Sequence, residues 1–334
     1  MFPVPVGEEI PSIIALNQDV EPLIVQASVG RNKFFEDTYK PLQFIHVTDV
    51  HARVELWTRM IQYMDHYRDF IGFALHTGDY CNNSQKAYND LYAYAMPESG
   101  PVLNCVGNHD TYLDPAGQKS DKEITHGLLF NHTDGWDVTF MPGEYSMTYY
   151  KDFPESSLRL VVLDCYYSQE QQLVWLQQVL DDAREKGLQV ITAAHEPSGP
   201  IIKKVDVTFQ TIDDFETLGG NRSSFSFEET IAAFKAAGGI HVCHLAGHEH
   251  ADMFGYTDRG VLNVVAACAT DWYHWCDGVR LRGTRTYDCF NVVSIDPNLH
   301  HLKLVRVGNQ VDHYLRIKRT LCFDYIAGKV ISNM

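Results

Sequence analysis

Between residues 42 and 110, short apolar runs alternate with longer stretches whose apolar residues recur at helical spacing. The run 42–48 (LQFIHVT) reads as a strand, 54–70 as a helix and 72–77 (GFALHT) as a second strand. A helix over 85–96 and a third strand over 101–106 follow. Such alternation predicts parallel strands joined by right-handed crossovers. Residues 111–145 break the rhythm; rich in Asp, Gly, Thr and aromatics, they are longer than a compact connection needs and read as an irregular insertion. Segments 145–150 and 158–164 read as antiparallel strands joined across 152–157. A helix over 169–186, closed by Gly187, presents Leu173, Leu176, Val179 and Leu180 on one face. Strand 188–194, a polar stretch over 198–226 and a helix over 227–237 come next. The remainder is β-rich, with strands expected at 240–246, 261–269, 286–295 and 302–307.

The fold class this predicts is α/β, a four-layer αββα sandwich of two mixed sheets flanked by helices. Residues 42–334 are expected to form one domain with loop insertions at about 111–144, 196–226 and 271–287, and residues 1–41 an extension packing on it. A 45% hydrophobic chain of 334 residues can bury a core of that size. The formal net charge of -16 argues against a broad phosphate-backbone footprint on nucleic acid, which needs clustered Lys and Arg. No run approaches the roughly 18 apolar residues of a membrane span. The opening residues, MFPVPVGEEIPSII, lack a basic segment followed by an apolar core, so no signal peptide is expected. Eight cysteines are scattered without a C-x-x-C pair, most of them in apolar runs. Reduced, buried thiols and a cytoplasmic protein are the expectation.

Chemistry enters at the ends of the apolar runs. Five blocks, each following a strand-like segment, carry carboxylate, imidazole or amide: Asp49-Val50-His51, Gly78-Asp79, Gly107-Asn108-His109-Asp110, His195, and Gly247-His248-Glu249-His250. Carboxyl ends of parallel strands form the edge where open α/β sheets bind ligands. Two cations about 3.5–4 Å apart need one ligand touching both, and a carboxylate has two oxygens for it. Asp79, in the central block, is the expected bridge. Asp49 and His51 lie two apart, as do His248 and His250, so in a regular strand each pair would fall on one side. Asp49, His51 and His250 would then complete one site with Asp79, and Asn108, His195 and His248 the other. These donors suit Mn²⁺, Fe²⁺ or Zn²⁺. A hydroxide between two such ions would attack phosphorus in line, His109 would protonate the leaving alkoxide, and Asp110 would orient the His109 ring. The competing reading, buried polar groups without a metal, is costly for so many charged and imidazole groups. His46, His76, His241 and His244 read instead as satisfied strand or core positions.

The five blocks together resemble the calcineurin-like metallophosphoesterases, whose pattern is D-x-H, G-D, G-N-H-[DE], H and G-H-x-H. The resemblance covers residues 42 to about 250 and implies the same ligand sets, with His109 as acid or transition-state donor. Protein Ser/Thr phosphatases continue the second block as G-D-x-V-D-R-G, whereas this chain has Gly78-Asp79-Tyr80-Cys81-Asn82. Purple acid phosphatases carry a Tyr three residues after the bridging Asp and lack the first-block His; here position 82 is Asn and His51 is present. The implied function is hydrolysis of a small phosphomonoester or phosphodiester, a nucleotide among the options. The alternatives are a non-catalytic scaffold on the same fold and a metal-dependent nuclease. For substrate contacts, Tyr112 and Trp272 could stack on a ring, and Arg222, Arg280 and Arg282 could clamp phosphate.

Overall fold

The structure, a computed structural model, describes residues 10–31, 38–83, 98–111, 120–130, 133, 135–167, 169–201, 203–204, 226–270, 280–309 and 319–333. Two short helices, α1 (Ile13–Leu16) and α2 (Glu21–Ala27), precede a two-stranded ribbon of β1 (Gly30–Arg31) and β2 (Thr38–Tyr39). The core then begins with β3 (Leu42–Val47), α3 (Val54–His66), β4 (Ala74–His76) and β5 (Val102–Asn104). Helix α4 (Asp121–Leu129), β6 (Thr139–Phe140), β7 (Tyr149–Phe153) and β8 (Leu158–Val162) follow. Next come α5 (Gln169–Glu185), β9 (Gln189–Ala193), β10 (Lys203–Lys204), α6 (Glu228–Ala236), β11 (His241–Ala246), β12 (Met253–Tyr256) and β13 (Leu262–Val265). The chain closes with β14 (Cys289–Asp296), β15 (His301–Gly308), β16 (Thr320–Asp324) and β17 (Lys329–Asn333).

These elements build two mixed sheets with helices outside, an αββα sandwich. The first sheet has the order β17-β16-β15-β14-β3-β4-β5 and the second β10-β12-β13-β11-β9-β8-β7-β6. Within the first, β3, β4 and β5 run parallel; within the second, β8, β9, β11 and β13 do. One large apolar cluster fills the space between the sheets and under α3, joining Phe44, Leu75, Ile191, Leu245 and Val293 with Trp57 and Met60. A second cluster packs α5 and α6 on the outer face of the second sheet through Leu176, Leu180, Ile231 and Phe234. Ile13, Val20 and Ile24 of the amino-terminal segment are fully buried in the first cluster. Among the described residues no helix is long and apolar enough to cross a membrane, and the seven described cysteines are free thiols.

Several expected elements differ. The 145–150 strand starts only at Tyr149 and runs on to Phe153, because Tyr145 is in the left-handed region at φ 53°; Pro154–Ser156 then turns the chain. The insertion read as irregular contains α4, capped by the Ser120 hydroxyl accepting from the Glu123 amide at 3.2 Å, and the edge strand β6. Helix 54–70 stops at His66. Strands β12, β16 and β17 were not anticipated: β12 is four residues long and contains Gly255, and β16 and β17 are at the sheet edge with half-exposed positions. The helix expected at 85–96 lies outside the described residues.

Candidate metal centre

All five sequence blocks converge on one rim. Strands β3, β4 and β5 deliver Asp49 and His51, Asp79, and Asn108 from the first sheet, while β9 and β11 deliver His195, His248 and His250 from the second. Main-chain hydrogen bonds lace the blocks together: Asp49 N–H to Gly78 O at 3.0 Å, His51 N–H to Asp79 O at 3.1 Å, and Gly247 N–H to His195 O at 2.9 Å. The two sheets are joined across the rim by the His248 amide, which donates to Asp49 Oδ2 at 3.1 Å.

Strand periodicity is not what brings the pairs together. Strand β3 ends at Val47, and Asp49 and His51 lie beyond it at φ 53° and 47°. Asp79, His248 and His250 also take left-handed backbone conformations, at φ 60°, 69° and 55°. Each such non-glycine residue costs on the order of 1–3 kcal/mol, a strain that clusters at functional sites. The expectation of same-side placement along a regular strand is therefore corrected: turns aim the side chains. Glycine is required where blocks touch. A Cβ on Gly78, itself at φ +96°, would collide with the His195 ring, and one on Gly247 with Thr48 Oγ1 and Asp49 Oδ2.

The side chains form two sets of donors that share Asp79. Asp49 Oδ1 lies 3.2 Å from His250 Nε2 and 3.7 Å from His51 Nε2, and the two Nε2 atoms are 3.3 Å apart. One potential donor atom from each of Asp49, His51, Asp79 and His250 falls within 4.8 Å of all the others. On the other side, Asn108 Oδ1 is 3.1 Å from both His195 Nε2 and His248 Nδ1, which are 3.2 Å from each other. Asp79 Oδ2 stands between the sets, 3.3 Å from His195 Nε2 and 3.8 Å from His51 Nε2. Its other oxygen accepts from the His109 amide at 2.8 Å, which fixes the carboxylate.

Hydrogen bonding fixes which ring nitrogens are free to bind a cation. His195 Nδ1 donates to the Thr77 carbonyl at 2.6 Å and His51 Nδ1 to Asn82 Oδ1 at 2.7 Å, so each neutral ring keeps a lone pair on Nε2. The Nε2 lone pairs of these two rings thus join Asn108 Oδ1 and the carboxylates in one cluster, where buried Asp49 Oδ1 lies 3.2 Å from His250 Nε2. Donors held about 2.0–2.2 Å from a common ion are roughly 3.0–3.4 Å apart. The Asn108, His195, His248 and Asp79 contacts of 3.1–3.3 Å have that spacing, while the Asp49, His51, Asp79 and His250 set is wider, with its atoms within 4.8 Å. The residues fit divalent cations. Without a cation, the Asp79 carboxylate overrides the burial that disfavours charge on His195 and pushes its pKa up to about 10. A proton then supplies the positive charge this pocket is built to hold.

His109 is half-buried, its ring 5.2 Å from that of His51 in an edge-on arrangement, at the solvent-facing mouth of the cluster. Asp110 departs from expectation. Its carboxylate accepts the amides of Asp79 at 2.8 Å, Tyr80 at 2.9 Å and Gly107 at 2.9 Å, so it braces the Gly78–Asp79 turn rather than orienting the His109 ring. The cause is the 3₁₀ turn Asn108–Asp110, which swings Asp110 into the protein. Burial and the neighbouring Asp79 push its pKa up to about 8.

Arg280 is buried, with Nη2 donating to the Cys268 carbonyl at 2.7 Å, and Arg282 forms a two-pronged pair with Glu55. Glu55 thus takes Arg282 away from the phosphate-clamping role. Tyr112, Arg222 and Trp272 lie outside the described residues. Supporting groups absent from the sequence reading are Asn82, the Thr77 carbonyl, and Thr48, whose hydroxyl donates to Asp49 Oδ2 at 2.6 Å. The only signal for them was position within three residues of a ligand block.

Comparison with solved structures supports the architecture. A dimetal phosphatase from Danio rerio aligns with a TM-score of 0.51 at 16% identity, covering 83% of this chain and 99% of that one. A purple acid phosphatase from yellow lupin, Lupinus luteus, aligns at 0.50 and 14% identity over 85% of this chain; the match spans 54% of the lupin protein. GAP50, the anchor in the inner membrane complex of Plasmodium, aligns at 0.50 and 14% identity over 83% and 89% of the two chains. No curated protein sequence matches significantly. The family model for calcineurin-like phosphoesterases matches residues 42–252, more than half the chain and all five blocks. With that match over a rim of buried carboxylate and imidazole donors, the chain belongs to the calcineurin-like phosphoesterase family and is a metal-dependent phosphoric ester hydrolase.

Proposed function

We propose that this enzyme hydrolyses a small phosphomonoester or phosphodiester using two divalent ions, drawn from Mn²⁺, Fe²⁺ and Zn²⁺. Asp49, His51, Asp79 and His250 would hold one ion, and Asp79, Asn108, His195 and His248 the other. The observation that carries this reading is Asp79 Oδ2 lying between two complete donor sets. Bound there, such a pair of ions lowers the pKa of water and neutralises phosphate oxygens.

The chain's own residues do the rest. Asp79 is locked by the His109 amide so that one oxygen remains for the ions. Thr77 O and Asn82 Oδ1 hold the His195 and His51 rings in the tautomer that leaves Nε2 unprotonated. His109, half-buried at the mouth, is the one imidazole of the five blocks outside both donor sets, so it can pass a proton to a leaving alkoxide. A small ester is favoured over nucleic acid because the chain carries a net charge of -16.

Metal analysis after Mn²⁺ loading, with turnover of p-nitrophenyl phosphate and bis(p-nitrophenyl) phosphate, tests the reading. Two ions per chain and hydrolysis of at least one ester are expected. Fewer than one ion per chain with no hydrolysis would leave a scaffold on the same fold.

A further inference from the structure

Opposite the metal rim, at the amino-terminal ends of β11 and β13, a cleft of about 520 Å³ opens between α6, the end of β12 and the β16–β17 turn. That volume falls within the range of roughly 300–1,000 Å³ typical of small-molecule sites. Its walls include buried His241, Leu262 and Tyr325, half-buried Tyr256, and exposed Lys235 and Asp258.

A chain of hydrogen bonds dictates the chemistry that His241 offers to this cleft. The Glu196 carbonyl can only accept, so His244 Nε2 carries the proton donated to it at 3.0 Å. Burial keeps the His244 ring neutral, with its pKa drawn down to about 4, so Nδ1 has a lone pair. That lone pair takes the Thr192 hydroxyl proton at 3.0 Å, and Thr192 Oγ1 must then accept from His241 Nε2, 2.9 Å away. His241 is neutral as well, held so by burial and by nearby His244 and Lys235. Its Nδ1 is therefore an acceptor. The residue is only 7% exposed, and this atom has no protein partner among the described residues.

The rim adds two opposite charges. Lys235 Nζ donates to the Gly260 carbonyl at 2.7 Å, which leaves further N–H groups. Neither Lys235 nor Asp258 makes an ion pair among the described residues. A simple anion would meet Asp258 and a simple amine Lys235, whereas a molecule carrying both charges is attracted to both.

We propose that this cleft binds a small zwitterion with an apolar side chain, of which an α-amino acid is the simplest kind. Its ammonium donates to His241 Nδ1 and faces Asp258, its carboxylate pairs with Lys235, and its side chain lies against Leu262, Tyr256 and Tyr325. The site is independent of the phosphoesterase reading.

Isothermal titration of the full-length, metal-loaded protein with L-phenylalanine, 3-phenylpropionate and phenethylamine tests it. L-Phenylalanine is expected to bind saturably, and each analogue lacking one charge to bind roughly tenfold more weakly or worse. Lys235→Ala and Asp258→Asn alter exposed residues and should keep the melting temperature and the turnover of p-nitrophenyl phosphate. Each should weaken L-phenylalanine binding by a similar factor. No saturable binding, equal binding of either analogue, or binding that either variant leaves unchanged overturns the proposal; the last would report attachment elsewhere, the metal rim included.

Discussion

Strand β11 carries histidines towards both of its ends, and the two ends use them in opposite ways. Beyond the carboxyl end, His248 Nδ1 and His250 Nε2 are each crowded at 3.1–3.3 Å by two other ligand-type atoms, more than the single proton of a ring nitrogen can serve. Within the strand, His241 and His244 are matched donor to acceptor through Thr192 and the Glu196 carbonyl. Residue type is the same at the two places, and all four rings but that of half-buried His248 are buried. What differs is the partner of each ring nitrogen, and that partner decides whether an imidazole is a structural link or a cation ligand.

The sharpest way to break the contrast is Asp79→Ala. Removing the shared carboxylate should cost both donor sets several kcal/mol of transition-state stabilisation, roughly 10³-fold or more in kcat, with metal content falling below two per chain. Steady-state kinetics and elemental analysis read both. His109→Ala comes next. Loss of a proton donor should lower kcat by about 10²–10⁴-fold while metal content is retained, because its ring is in neither donor set; unchanged turnover would remove His109 from the chemistry.

Asn82→Ala probes the support of the rim. It frees His51 Nδ1 from the bond that sets its tautomer, so metal affinity should fall roughly 10–100-fold by competition with a chelator. Thr192→Val makes the corresponding cut in the strand. It should leave metal content alone but strip a partner from both His241 and His244, costing about 1–3 kcal/mol in denaturant unfolding. If instead Thr192→Val lowered metal content as much as Asn82→Ala, the two ends of β11 would not be separable.

How far the site could be read from residues alone differs from group to group. The ligand blocks are contiguous, so Asp49-Val50-His51 and Gly247-His248-Glu249-His250 announce themselves without a fold. Asn82 pairs with His51 from another loop, and the Thr77 carbonyl meets a ring 118 residues away. Apart from lying within three residues of Asp79, nothing local marks either. Asp110 misled for a related reason: adjacency to His109 suggested a shared task, but a 3₁₀ turn sends neighbouring side chains in different directions.

By itself, the order of apolar runs and polar blocks determined the αββα class, the rim of the sheets that carries the chemistry and the donor types there, because hydrophobic periodicity and ligand identity are local properties. Only the tertiary structure decided that left-handed turns rather than strand pitch aim the ligands, that Asp110 braces amides, and that His241 turns an acceptor into a cleft at the far edge. Those outcomes depend on which atoms from distant segments end up within about 3 Å of each other, and hydrogen bonds act only at that range.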